Sequence, residues 1–291
     1  MSRLLIVNPF ASGVDEHRLA AVRAALPEDT VIQLTTAAGE ATQLARSASD
    51  FDAIYVFGGD GTFNEVLNGV DVEVHVPLGF IPGGGTSVLP RSLGLPRNPA
   101  RAAQRIARGT TRRIGIGRVN GRRFGFSAGI GFDAELVRKV DELGRHPDGR
   151  RPGDVAFMRV ATSTLWARRG RFDARLEVEG AGRAAFVLVA NCSPYTYAGA
   201  VALELVPDAD FDEGLAYVAP VTLRARDLPR VLLRGTRGTG IKGAKALAAH
   251  DLDRIVVRCD EPLPLQVDGE DAGDVVEAVY EAERDAVTVL V

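Results

Sequence analysis

Few residues of this sequence can form covalent or metal cross-links. Its 291 residues include only two cysteines, Cys192 and Cys259, and no CxxC pair occurs. The four histidines are scattered, and none lies in an HExxH pattern. These absences argue against a disulfide scaffold and against a structural zinc site.

Long apolar runs are also missing. No stretch of 18 consecutive apolar residues occurs, and the first apolar run, Leu4–Val7, is too short for a signal peptide. We therefore expect a cytoplasmic protein whose membrane contacts, where they occur, are peripheral.

Lysine is scarce, and the charge is unevenly distributed. Lysine occurs only at positions 139, 242 and 245, and the formal net charge of -3 argues against a general nucleic-acid-binding protein. Between Arg101 and Arg175, however, 18 Lys and Arg residues face 7 Asp and Glu residues. This basic middle segment is suited to attracting phosphates or an anionic membrane surface.

The first third of the chain alternates short apolar runs with helical patterns, which predicts βαβ units and a mainly parallel sheet. The runs are Leu4–Val7, Val31–Leu34, Ala53–Phe57 and Leu78–Ile81. Ligands of such sheets bind beyond the carboxyl ends of the strands, where the glycine-rich turns of this sequence fall.

After about Gly117 the pattern changes to short segments separated by turn residues, which predicts a β-rich second domain. The expected strands are Arg122–Ser127, Arg175–Val178, Ala184–Ala190, Leu215–Val218, Arg254–Cys259 and Leu265–Val267, with helices near Ala134–Leu143, Asp154–Ala167 and Arg226–Arg234. The apolar end, Ala286–Val291, is expected to be docked rather than free.

The most informative motif is a glycine-rich turn between a strand and a helix, Gly58-Gly59-Asp60-Gly61-Thr62. Glycines let the backbone approach a ligand closely, and the N–H groups of a helix N-terminus bind phosphate. The motif is not the lysine-containing loop GxxxxGK[ST]. Asp60 then has three candidate roles: a Mg²⁺ ligand, a proton acceptor from a hydroxyl, or an Asx turn that caps the helix.

Three further loops are predicted at the same edge of the sheet. Asn8-Pro9 with Ser12-Gly13 follows the first strand, Thr35 follows the second, and Pro82–Thr86 follows the fourth. Together they indicate a nucleotide site more strongly than any single motif does.

These motifs together resemble the diacylglycerol kinase catalytic family, and within it the soluble bacterial lipid kinases related to sphingosine kinases. The resemblance continues through Gly125–Leu136, Asp208–Leu215 and Gln266–Glu270. It implies an NAD kinase-like ATP-binding α/β domain of residues 1–117 and 275–291. It also implies a β-sandwich lipid-binding domain of residues 118–274.

The resemblance also implies site residues. The residues expected to contact ATP are Asn8, Thr35, Gly58, Gly59, Asp60, Gly61, Thr62, Phe63, Asn64 and Thr86. Asp268 and Glu270 are expected near the phosphates, with Glu270 as the favoured proton acceptor and Asp60 organising metal and water. We expect ATP and Mg²⁺ as cofactors and a lipid hydroxyl at a membrane surface as the acceptor of the phosphate. A homodimer is one alternative for the oligomeric state.

Two assignments keep a structural alternative. Asp133 is implied to face the polar head of the acceptor, but its position also suits a helix N-cap. The acidic stretch with Asp210, Glu213 and Leu215 resembles an accessory Mg²⁺ loop, and charge runs are also typical of solvated turns.

Competing functions remain at this stage. Thr86 is followed by Ser87, Val88, Leu89 and Pro90, whereas the family commonly has a small residue and then Asn-Asp. A nucleotide- or lipid-binding regulator that lost activity with the Asn-Asp pair is therefore one alternative. An NAD kinase, which shares the Gly-Gly-Asp-Gly motif, is another.

Two segments are candidates for membrane contact: a helix with Trp166 and flanking arginines, and a basic stretch Arg230–Lys245. The alternative for the first is an ordinary helix covering the β-rich domain.

Overall fold

The computed structural model describes residues 2–144, 159–160, 163–164, 171–224, 227–241 and 246–291. The chain divides into two compact units. Unit 1 consists of Met1–Ile116 and Arg284–Val291, and unit 2 consists of Gly117–Glu283.

Unit 1 alternates strands with helices. Its strands are β1 (Arg3–Val7), β2 (Thr30–Leu34), β3 (Ala53–Gly58), β4 (Leu78–Pro82) and the beginning of β5 (Thr111–Val119). Its helices are α1 (Glu16–Ala25), α2 (Glu40–Arg46), α3 (Asp60–Gly69), α4 (Val88–Ser92) and α5 (Pro99–Ile106).

The strands of unit 1 form the predicted parallel sheet. Strand β1 pairs in parallel with β2 on one side and with β3 on the other, and β3 pairs in parallel with β4. Val289 pairs in parallel with Leu78, so the end of the chain is docked on β4. Every residue of β3 and β4 is buried, as expected for parallel strands covered on both faces. The carboxyl ends of β1 to β4 therefore share one edge.

Unit 2 is rich in short strands. They are β6 (Arg122–Phe124), β7 (Ser127–Ile130), β8 (Arg171–Phe172), β9 (Leu176–Val178), β10 (Gly182–Ala184), β11 (Val187–Ala190), β12 (Thr196–Ala198), β13 (Val201–Leu203), β14 (Leu215–Pro220), β15 (Leu223–Arg224), β16 (Ala246–Leu252), β17 (Arg254–Val267) and β18 (Glu270–Leu290), whose last residues belong to unit 1. Its helices include α6 (Phe132–Glu142) and α7 (Leu228–Thr236).

The main sheet of unit 2 is antiparallel, in the order β16, β14, β11, β7, β17 and β18. Strand β17 pairs with β9 near its start and with β7 near its end. Its register against β18 shifts between Arg258 and Leu263. The two separate strands that we predicted at 254–259 and 265–267 are therefore one strand. A register irregularity lets it bend and serve two partners.

Two of the predicted membrane-contact segments can be placed only in part. The predicted helix Asp154–Ala167, with Trp166, lies almost entirely outside the described residues. The predicted helix near Arg226–Arg234 is α7, although Lys242 and Lys245 fall outside the described residues. None of the helices in the described part of the chain is long and apolar enough to cross a membrane.

Candidate functional site

Three glycine-containing loops of unit 1 are bonded to one another at the carboxyl edge of the sheet. The N–H of Gly13 donates to the carbonyl oxygen of Gly83 at 2.7 Å, and the N–H of Gly83 donates to that of Gly58 at 2.7 Å. A Cβ atom added at Gly13 would lie 2.8 Å from the oxygen of Gly83. Side chains at this position would therefore force the loops apart.

Helix α3 begins directly at this junction. Gly59 is its N-cap residue, has extended backbone angles and makes no side-chain cap hydrogen bond. The first intrahelical bond is donated by the N–H of Phe63 to the oxygen of Gly59 at 3.1 Å. The N–H groups of residues 60 to 62 thus precede the helical ladder, the arrangement that suits a phosphate group.

Asp60 is the first residue of α3 rather than its cap. Its Oδ1 accepts a hydrogen bond from the N–H of Leu89, at the start of α4, at 3.4 Å. The alternative in which Asp60 caps the helix from the preceding turn is therefore wrong. The carboxylate instead links the glycine-rich turn to the start of α4.

The other residues predicted to contact the nucleotide differ in their hydrogen bonds and in their burial. Asn8 Nδ2 donates to Thr62 Oγ1 at 2.9 Å, which ties the first loop to α3. Thr35 is buried, and its N–H donates to the oxygen of Val7 at 2.8 Å. Thr86 is half-buried in the loop after β4.

Phe63 and Asn64 are buried inside unit 1. The Phe63 ring packs edge-on against Phe80 with centroids 5.2 Å apart. The Phe63 ring is therefore not available to a nucleotide, and the N–H of Phe63 already donates to Gly59. Gly61 lies between these residues and Asp60 in the first turn of α3.

Two arginines that the sequence did not single out are bonded to the same loops. Arg18 Nη1 donates to the oxygen of Gly13 at 3.1 Å, and Arg91 Nη1 donates to the oxygen of Thr86 at 3.3 Å. Both guanidinium groups place positive charge beside the glycine-containing loops. Each arginine lies five residues after the carbonyl group that it contacts, so a basic residue at this spacing was a local signal that the sequence reasoning missed.

In unit 2, Asp268 and Gly269 form the two-residue turn between β17 and β18. Their φ angles are 49° and 75°, and Val267 pairs with Glu270 across the turn. Positive φ at both central residues is the geometry of a type I′ hairpin, for which Asp-Gly is a favoured sequence. The conformation that this turn requires therefore explains the Asp-Gly part of the Asp-Gly-Glu motif.

The carboxylate of Asp268 is buried and fixes a neighbouring turn. Its Oδ2 accepts from the N–H of Gly125 at 2.7 Å, and its Oδ1 accepts from Phe126 and Ser127 at 3.0 and 3.1 Å. Only 4% of Asp268 is exposed. These contacts hold the junction between β6 and β7 against the hairpin.

Glu270 is far more accessible than Asp268. Its Oε2 accepts from Arg122 Nη2 at 2.9 Å, and 41% of its side chain is exposed. The carboxylate is thus oriented by one ion pair while remaining open to solvent.

Asp133 lies in the first turn of α6, whose N-cap residue is Gly131. The N-cap alternative for Asp133 is therefore wrong. Its Oδ1 accepts from the Tyr195 hydroxyl at 2.5 Å, and its Oδ2 accepts from Gln266 Nε2 at 2.9 Å. Burial raises the pKa of Asp133 to about 6, and the two hydrogen bonds oppose this shift. Burial, followed by the charge and hydrogen bond of Asp133, raises the pKa of Tyr195 well above its ordinary value.

The predicted accessory metal loop forms a compact turn. Asp210 Oδ1 accepts from the N–H of Asp212 at 2.9 Å, and Glu213 donates its N–H to the oxygen of Asp210 at 3.1 Å. Glu213 also faces His250, and Leu215 pairs with Leu252 in the sheet. Among the described residues, no three His, Cys, Asp or Glu side chains cluster in a way that could hold a metal ion.

Sequence reasoning missed the buried polar residues around the hairpin between β17 and β18. Gln266 is fully buried, and Asn191 is 1% exposed and donates from Nδ2 to the oxygen of Gly125 at 3.0 Å. Gln266 did carry a signal, because a polar residue interrupts the otherwise apolar end of β17. Buried polar side chains need partners, so such an interruption indicates a network.

Comparisons with known proteins agree with this architecture. Residues 2–119 match the model of the diacylglycerol kinase catalytic domain. The resemblance predicted from the motifs is therefore confirmed.

The chain is similar to individual members of this family. It is 43% identical over 116 residues to the diacylglycerol kinase of Bacillus subtilis strain 168, an alignment that spans 38% of each chain. The crystal structure of "a putative diacylglycerol kinase from Bacillus anthracis str. Sterne" covers 99% of this chain and 94% of its own, at 25% identity and a TM-score of 0.77. The likeness to this family thus extends over unit 1 in sequence and over nearly the whole chain in structure.

The fold is also similar to that of a second class of kinase. An NAD kinase from Archaeoglobus fulgidus, crystallised with ATP, matches 99% of this chain and 93% of its own at 13% identity, with a TM-score of 0.51. At this identity the likeness concerns the fold alone. The predicted fold class, an NAD kinase-like α/β domain followed by a β-rich domain, is confirmed.

Proposed function

We propose that the chain transfers the γ-phosphate of ATP to the hydroxyl group of a lipid, with diacylglycerol-like lipids as the expected class. The observation that carries the proposal is the junction of the loops containing Gly13, Gly58 and Gly83 at the N-terminus of α3. A phosphate cradle of this kind, in a member of the diacylglycerol kinase catalytic family, favours a lipid kinase.

We assign ATP to unit 1. The N–H groups at the start of α3 would bind phosphate oxygens, and Arg18 and Arg91 would supply positive charge beside the glycine-containing loops. Mg²⁺ bound with the nucleotide would neutralise charge on the β- and γ-phosphates. Asp60 offers the hard oxygen ligands that Mg²⁺ prefers, so the residues present fit this ion.

We assign the acceptor lipid to unit 2, with Asp133 facing its polar head and Glu270 receiving its proton. In the reaction, the lipid oxygen forms a bond to the γ-phosphorus while the bond from that phosphorus to the β-phosphate oxygen breaks, which releases ADP. The hydroxyl proton passes to the carboxylate of Glu270. Asp268 has a different role in this proposal, because its carboxylate is occupied by backbone N–H groups and positions the hairpin.

The accessory Mg²⁺ loop remains a separate proposal. Asp210, Glu213 and Leu215 would hold this accessory ion. No step of the transfer depends on it.

The test is a transfer assay with ATP labelled at the γ-phosphate and Mg²⁺. Diacylglycerol, a sphingoid base and NAD are offered as acceptors in separate reactions. We expect label in a lipid product and none in NAD. Label in NAD would instead support an NAD kinase, and ATP binding without transfer to any acceptor would support a regulator.

A further inference from the structure

In unit 2, a continuous chain of hydrogen bonds connects the carboxylate of Asp133 to the hairpin that carries Glu270. The N–H of Gly269 donates to Gln266 Oε1 at 2.9 Å. Gln266 Nε2 donates in turn to Asp133 Oδ2 at 2.9 Å. Gln266 is 0% exposed and Asp133 is 8% exposed, so solvent offers the two side chains little alternative.

The N–H of Gly269 fixes which groups donate and which accept in this series of hydrogen bonds. A backbone N–H can only donate, so the oxygen of the Gln266 amide must face Gly269. The amide nitrogen then faces Asp133 and can only donate, which requires Asp133 to accept at Oδ2. Because the Tyr195 hydroxyl is bonded to Oδ1, both oxygens of Asp133 have defined partners.

Local packing leaves this arrangement little freedom. Gln266 on β17 is paired with Gly129 on β7, and a Cβ atom added at Gly129 would lie 3.1 Å from Asp133 Oδ2. The residue opposite Gln266 therefore has no side chain, which leaves the space that the Gln266–Asp133 contact occupies. A larger residue there would push against the carboxylate.

We propose that Gln266 is a positioning residue that couples the acceptor-binding carboxylate of Asp133 to the turn carrying Glu270. This inference rests on the proposed function for its catalytic meaning, although the coupling itself is a property of the folded protein. Gln266 orients two groups at once: Asp133 through its amide nitrogen and the Asp268-Gly269 turn through its amide oxygen. The groups that bind the lipid hydroxyl and receive its proton are thereby held in one fixed relationship.

The coupling can be measured on the wild-type protein without any assay of transfer. With glycine selectively labelled with ¹⁵N, we expect the amide proton shift of Gly269 to move with pH, with an inflection near the pKa of Asp133, about 6. Asp133→Asn should abolish that inflection. Gly273 is the internal control, since its N–H donates to Asp271, whose pKa is lowered chiefly by the hydrogen bond from Arg138. A Gly269 shift that has the same pH profile in the wild type and in Asp133→Asn would overturn the coupling.

Two substitutions at Gln266 separate its two contacts. Gln266→Glu keeps an oxygen for Gly269 but replaces the amide donor to Asp133 with a second carboxyl group, so we expect the KM for the lipid to rise about 10-fold with kcat within about 3-fold of wild type. Gln266→Met has similar length and loses both contacts, so we expect kcat to fall about 10-fold as well. The KM for ATP should be unchanged in both. Gln104→Glu, on the exposed side of α5, is the matched control and should resemble the wild type.

The possible outcomes are distinguishable. Wild-type values of kcat and of the KM for the lipid in both Gln266 variants would overturn the positioning role. If either variant fails to fold, the wild-type titration of Gly269 still decides whether the coupling exists. A wild-type protein that transfers phosphate to no lipid would refute the proposed function, while the Gly269 titration would still test the hydrogen-bonded chain.

Discussion

Arg122 Nη2 lies 2.9 Å from Glu270 Oε2, so the carboxylate proposed to receive the lipid proton is held by an ion pair. Both side chains are partly exposed, at 35% for Arg122 and 41% for Glu270. An exposed pair of this kind contributes little to stability. The role of this ion pair would instead be to orient the carboxylate of Glu270.

Substitutions at this pair test that orientation. We expect Glu270→Gln to lower kcat at least ~100-fold, because a proton acceptor is lost. Arg122→Gln should lower kcat only about 10-fold, because Glu270 remains but is less well oriented. The double variant should be no slower than Glu270→Gln alone, since Arg122 acts through Glu270. Steady-state kinetics of the four proteins provide the measurement, and additive losses would contradict an orienting role.

The buried carboxylate of Asp268 should matter for stability. In Asp268→Asn, an NH₂ group replaces one oxygen that now accepts from backbone N–H groups of residues 125 to 127. We expect a loss of roughly 3 kcal/mol in the free energy of unfolding, because buried donors lose their acceptor. Urea unfolding followed by circular dichroism measures this loss. Asp50→Asn, at an exposed position of unit 1, is the control and should change stability by less than about 0.5 kcal/mol.

Asp133 should make the stability of the protein depend on pH in a defined direction. Its pKa rises from an ordinary value of 3.8 to about 6 on folding, chiefly because of burial. The folded state therefore binds more protons than the unfolded state between these values, so this contribution favours folding below about pH 4 and is lost as pH rises through about 6.

The comparison of wild type with Asp133→Asn isolates this contribution. The groups bonded to the Asp133 carboxylate are the Tyr195 hydroxyl from the segment before β12 and the Gln266 amide from β17. We expect the free energy of unfolding of the wild type, relative to Asp133→Asn, to decrease between pH 4 and pH 7. A difference that stays constant or increases over that range would show that burial does not raise the pKa of Asp133.

The glycine-containing loops of unit 1 predict a contrast between two alanine substitutions. Gly13→Ala would place a Cβ 2.8 Å from the oxygen of Gly83, so we expect the loops to separate and the Kd for the nucleotide to rise about 10-fold. Gly85→Ala is the matched control, since its Cβ would meet only Ser12 Oγ at 4.0 Å. Isothermal titration with a non-hydrolysable ATP analogue measures both. Equal affinities for the two variants would argue against a nucleotide at this junction.

The sequence predicted unit 1 well because its strongest signals are local. Short apolar runs followed by glycine-rich turns are sufficient to indicate parallel strands whose loops share one edge, and the strands β1 to β4 lie where the runs predicted them. In unit 2 the prediction was coarser. The apolar segments at 254–259 and 265–267 gave no indication that the strand β17 continues through both.

Residue types and their order in the chain thus determined the fold class, the resemblance to the kinase family and the glycine-rich turn at Asp60, since these depend on motifs and backbone preferences over a few neighbouring residues. The tertiary structure decided which polar groups meet. Gln266 and Asp133 are separated by 133 positions, and Asp268 reaches backbone N–H groups more than 140 residues away. No local pattern encodes such contacts, because burial and cross-strand register arise only when distant segments pack together.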